Sequence, residues 1–93
     1  MKWRIVHRNR SEVRVELFED RLPRSICYIL IEGSKAKGYR WYSNTEILMH
    51  GVGGFFKDVS QDAAIQTAIN RWKLRVQEIV NSFYEAEVPG GAE

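Results

Sequence analysis

Residues 58–84, DVSQDAAIQTAINRWKLRVQEIVNSFY, limit what this chain can fold into more than any other stretch. At about 100° per residue, Ile65, Ile69, Trp72, Val76, Ile79, Val80 and Phe83 fall on one narrow stripe, as in an amphipathic helix resting on a core. Either Asp58 with Gln61 three residues on, or Ser60, offers the oxygen that the free N–H groups of a first turn require. The spacing predicts a helix of roughly seven turns beginning near position 59. Its apolar side has to be covered by the residues that precede it. With 93 residues in all, one shared core is the economical solution.

The preceding segment reads as strands. Residues 2–8 alternate, Trp3, Ile5 and His7 against Lys2, Arg4, Val6 and Arg8, and residues 12–18 alternate more cleanly, with Val13, Val15 and Leu17 opposed to Arg14, Glu16 and Phe18. Asn9, Arg10 and Ser11 between them predict a hairpin. Pro23 marks the following run as a longer connection, because proline has no ladder donor. Residues 26–31 are apolar on both faces, which predicts a central strand, or one whose second face a partner closes. A turn at GSKAKG, residues 33–38, leads to a fourth strand over 39–42. Ser43 and Glu46 then form a capping box with Gly51 at the far end, so 44–50 reads as a short helix, with a fifth strand through Ile47 and Met49 as the alternative. Gly51, Gly53 and Gly54 predict a pliable loop whose end Phe55 and Phe56 anchor to the core. The expected architecture is α+β: a four-stranded antiparallel sheet against one long C-terminal helix, in a single domain over 1–84. Residues 85–93, with three acids and no periodicity, are expected to form a disordered acidic tail.

Composition narrows the function classes. No apolar run approaches ~20 residues, so neither a spanning helix nor a secretory core segment is expected, and a cytoplasmic location follows. Cys27 is the single cysteine; it has no internal disulfide partner and too few histidines near it for a zinc site. Net charge is only +2, but residues 1–59 hold eleven basic against seven acidic side chains. The GVGG loop does not run into a helix N-terminus as a phosphate cradle must. His7 and His50 have no partner spacing of a catalytic pair, and Cys27 alternates with Ile29 and Ile31 inside the most apolar run, where burial keeps a thiol inert. Glu12, Glu16, Glu19 and Asp20 are interleaved with arginines that would neutralise a metal-binding cluster. No catalytic residue, metal or cofactor is expected.

Two surfaces remain as candidates. If Trp3, Ile5, Val13, Val15, Leu17, Tyr39 and Trp41 face the helix, then Lys2, Arg4, Arg8, Arg14 and Arg40 share the other side of the sheet with Phe18 and Tyr42. Guanidinium groups pair with phosphates and aromatic faces stack on bases, so Arg4, Arg8, Arg14, Arg40 and Tyr42 are the expected binding residues for nucleic acid. The same charges suit an acidic protein surface, including that of a nucleic-acid-handling protein. The second surface is for self-association as a homodimer. It combines Ile29 and Ile31 of the two-faced strand with a low-charge helix strip containing Thr67 and Leu74.

The junction GFFKDVSQDAAIQTA resembles that of the three-stranded DNA-binding domains of phage recombinase arms and plant ethylene-response factors, where a short strand leads into a helix with an acidic, alanine-rich first turn. In those families the sheet enters the major groove. The resemblance covers about fifteen residues, the glycine-rich strand signatures that precede it there are absent, and it implies no site residue. Size and composition are also similar to those of accessory proteins of phages and mobile elements. The expected function is a small non-enzymatic accessory or inhibitor protein that binds a nucleic acid or a nucleic-acid-handling protein; the alternative is a homo-oligomeric interaction module.

Overall fold

Five antiparallel strands and one helix make up the computed structural model, which describes residues 1–43 and 52–91, residues 82–91 as backbone only. They are β1 (Lys2–Arg8), β2 (Glu12–Phe18), β3 (Cys27–Ser34), β4 (Gly38–Ser43) and β5 (Val52–Phe56), and α1 (Gln61–Gly91) follows. Each strand pairs with its neighbour in sequence, so the sheet order is β1-β2-β3-β4-β5. Consecutive strands most often lie side by side in a sheet. In the first turn the Asn9 side chain accepts the Ser11 N–H at 2.9 Å and the Asn9 N–H reaches the Glu12 carbonyl at 2.9 Å. The β3–β4 turn is pinned by Gly33 and Gly38 at positive φ; a Cβ on Gly33 would lie 2.1 Å from the Gly38 carbonyl oxygen.

The sheet has one strand more than the sequence predicts. Val52–Phe56, expected as a loop, is β5, with Gly54 opposite Trp41 and Phe56 opposite Tyr39. Glycine pairs weaken strands in general, which is why these residues read as a hinge. Here they let β5 close on β4: a Cβ at Gly54 would stand 2.7 Å from Trp41 Nε1, and one at Gly53 2.6 Å from the Trp41 carbonyl oxygen. The short helix expected over 44–50 lies outside the described residues. The three-stranded sheet that the junction resembles in other families is not the sheet formed here.

One face of the sheet is the floor of the core. Val13, Val15 and Leu17 of β2, Cys27, Ile29 and Ile31 of β3, and Tyr39 and Trp41 of β4 are buried there. Above them lie Ala64, Ile65, Ala68, Ile69 and Trp72 of α1. Ala64 and Ala68 are wholly buried, and their small side chains bring the helix backbone down onto the sheet. Trp72 packs edge-on against Trp3 of β1, ring centroids 5.1 Å apart. Val76 and Ile79 pack at the margin, whereas Val80, assigned to the stripe by its periodicity, is exposed. Of the two capping possibilities, Ser60 is the one used: its Oγ accepts the Ala63 N–H at 3.1 Å, while Asp58 takes a left-handed conformation just before it. The helix backbone continues to Gly91, past the end of the apolar stripe.

Candidate binding face of the sheet

Because α1 covers only one side, the residues that alternate with the core positions form a second, open face. Its rows follow from the strand register. Arg4, Glu16 and Tyr28 stand in one line across β1, β2 and β3. Arg14, Leu30, Tyr42 and Gly53 form the next, and Glu12, Glu32, Arg40 and Phe55 the one after. Arg4, Arg14, Arg40 and Tyr42 therefore share the face on which the sequence places them. Tyr28 and Leu30 are half-buried in its middle, Tyr42 is 40% exposed and Phe55 55% exposed.

Two of the arginines are held over rings. The Arg4 guanidinium lies 5.1 Å from the Phe18 ring centroid, and that of Arg14 lies 4.1 Å from the Tyr28 centroid. Arg14 Nε also donates to Glu16 Oε2 at 2.7 Å. This bond holds the Glu16 carboxyl below its ordinary range against the opposing effect of partial burial, with smaller contributions from a hydrogen bond with Ser25 and the Arg14 charge. Arg4 and Arg40 make no ion pair among the described residues, although Glu16 and Glu32 stand opposite them in register.

Arg8 is not part of this face. The β1–β2 register shifts between Ile5 and His7, so Val6 is an extra residue and Arg8 comes opposite Val13, on the helix side. There it donates to Asp62 and, through Nε, to Gln61 at 2.8 Å, while Gln61 Nε2 donates to the Asn9 carbonyl at 2.7 Å. Arg8 thus ties the first helical turn to the β1–β2 hairpin. A strict period of two gives it the wrong face because a bulge reverses the alternation.

The expected self-association set also divides. Ile29 and Ile31 are buried under α1, at 0% and 1% exposure, and cannot reach another molecule. Two-sided apolarity in β3 instead reflects its central place, with Tyr28 and Leu30 turned to the open face. Thr67 donates its hydroxyl to the Ala63 carbonyl at 2.8 Å within its own helix. Leu74 is 63% exposed and borders a groove of about 500 Å³ between α1 and β5, a feature that sequence periodicity missed because β5 was not recognised as a strand.

Other groups fit structural roles. Burial pushes the Cys27 thiol up to about 11, so it is protonated and unreactive at neutral pH. His7 lies 3.6 Å from Glu12 at the hairpin end. Among the described residues no three His, Cys, Asp or Glu side chains converge as metal ligands, and no helix is long and apolar enough to cross a membrane. Compared with known protein families, with characterised proteins and with solved structures, the chain matches none.

Proposed function

We propose that the protein is a non-catalytic accessory module that takes single-stranded nucleic acid on the open face of its sheet. One observation carries this: the uncovered side of the sheet gathers Arg4, Arg14 and Arg40 around Tyr28, Tyr42 and Phe55. A flat face favours an unpaired strand over a duplex, because splayed bases can stack on exposed rings while guanidinium edges meet phosphates. Arg4 and Arg14, already stacked on rings, lose little freedom when an anion binds their outer edges. Glu12, Glu16 and Glu32 on the same face restrict the phosphates it can neutralise, so binding is weak and sequence-tolerant.

Fluorescence anisotropy with labelled DNA and RNA oligonucleotides, titrated over a range of salt, tests this. With about three phosphates neutralised, log affinity is expected to fall against log salt with a slope of roughly −2. Tyr42→Ala is expected to lose about 1–3 kcal/mol through the missing stack. Arg4→Ala with Arg40→Ala should flatten the salt slope; Arg14 is left intact because its loss would unpair Glu16. Undetectable binding at low salt would remove nucleic acid as the ligand and leave an acidic protein surface as the partner for this face.

A further inference from the structure

The two edges of the sheet are built differently. Edge strand β1 carries Lys2, Arg4, His7 and Arg8 and a bulge at Val6, features that keep another strand from pairing with it. Edge strand β5, VGGFF, has no charge and no proline, and among the described residues it pairs with β4 alone. Beside it runs the groove of about 500 Å³, with Trp41 and Gly54 on the sheet side and Arg71, Leu74, Arg75 and Glu78 on the helix side. Trp41 Nε1 is buried there without a hydrogen-bond partner among the described residues.

We propose that β5 and this groove form a homodimer interface, in which β5 of a second copy pairs antiparallel with β5 and the two sheets become one of ten strands. The charge pattern of the groove suits a second copy as the occupant, since it carries both signs along one helix. A two-fold axis sets the helices antiparallel, and with the axis between Leu74 and Arg75 the register places Arg71 opposite Glu78 of the second copy, twice over. Within each helix Arg75 already donates to Glu78 at 3.0 Å, so across the axis Arg71 joins that pair and each Glu78 is shared by two arginines. A basic strand would be repelled by Arg71 and Arg75. Gly54 is the middle residue of β5 and borders the same groove as Leu74 and Arg75, so one axis serves strand and helix together. The interface lies on the edge and the helix side, and its formation does not require a ligand on the open face.

Sedimentation velocity on the full chain, from low micromolar to submillimolar concentration, is the test. Wild-type mass is expected to rise from one chain to two. Arg71→Glu and Glu78→Arg should each weaken dimerisation by about tenfold or more, and the two together should restore most of it, because the swapped charges again face each other. Leu74→Glu should also weaken it by about tenfold. All three positions are exposed, so far-UV circular dichroism and melting temperature should stay close to wild type and separate dissociation from unfolding. A wild-type chain that remains monomeric throughout, single charge reversals without effect, or a double variant no better than either single one would each overturn the interface.

Discussion

Arg14 is held at two points, with its guanidinium over Tyr28 and its Nε on Glu16, and this couples the Glu16 carboxyl to the folded sheet. In the folded chain its carboxyl is shifted below the ordinary value of 4.5, chiefly by the Arg14 hydrogen bond. A depressed folded value stabilises the fold at pH above the unfolded value, and that stabilisation is lost as pH falls through the folded value. Glu16→Gln is therefore expected to lower stability at neutral pH by under about 1 kcal/mol, since Arg14 is partly solvated, and to flatten the acid side of the stability profile. Urea midpoints at neutral and acidic pH measure both effects; an unchanged pH slope would show that Glu16 is not linked to folding. The Arg14–Glu16 pair itself was legible as charge alternating with aliphatics along β2. Stacking of Arg14 on Tyr28 was not, because it depends on the register between β2 and β3, which the chain fixes only once its turns have closed.

Elements with a clear alternating or continuous apolar pattern are readable as elements, while the local breaks in that pattern are not. The strands β1 to β4 and the start of α1 follow from period-two and helical patterning, and the open-face positions of Arg4, Arg14 and Arg40 follow with them. Arg8 escaped because a single inserted residue, Val6, turns everything after it to the other side. Ala64 and Ala68 were passed over because alanine carries little hydrophobic signal, although their smallness is what seats the helix. Strand β5 escaped because VGGFF has no alternation at all, and its glycines are selected by what lies against them. Gly54→Ala tests this at the level of the strand. Its new methyl would meet Trp41 Nε1 at 2.7 Å, so either the indole or β5 has to move. Destabilisation of about 1–3 kcal/mol by chemical denaturation is expected. Unchanged stability would mean that β5 has slack at this position and does not depend on glycine for its close approach to β4.

At the scale of the whole molecule, the one sheet and one helix among the described residues leave three kinds of surface: the face without a helix, the sheet edges, and the outer side of α1. The first was foreseeable from the sequence, since the helix can cover only one side. The edge was not, since it required β5. A dimer joined at β5 about an axis normal to the sheet would place both open faces on the same side of one continuous sheet. Strands spaced ~4.8 Å apart put the centres of the two faces about 24 Å from each other, five spacings across. A single-stranded ligand long enough to cross that gap would engage both faces, the second contact being intramolecular, whereas a short one would engage one. Wild-type protein is thus expected to bind an oligonucleotide of roughly 20 nucleotides at least tenfold more tightly than one of roughly 5, beyond the gain from added sites on one face. Leu74→Glu, which lies far from the open face, should remove that excess and leave the short ligand's affinity unchanged. Anisotropy titrations of both lengths against both proteins decide it. Equal length dependence in wild type and Leu74→Glu would mean that the two faces do not act on one strand, even if each protomer binds nucleic acid and the chains dimerise.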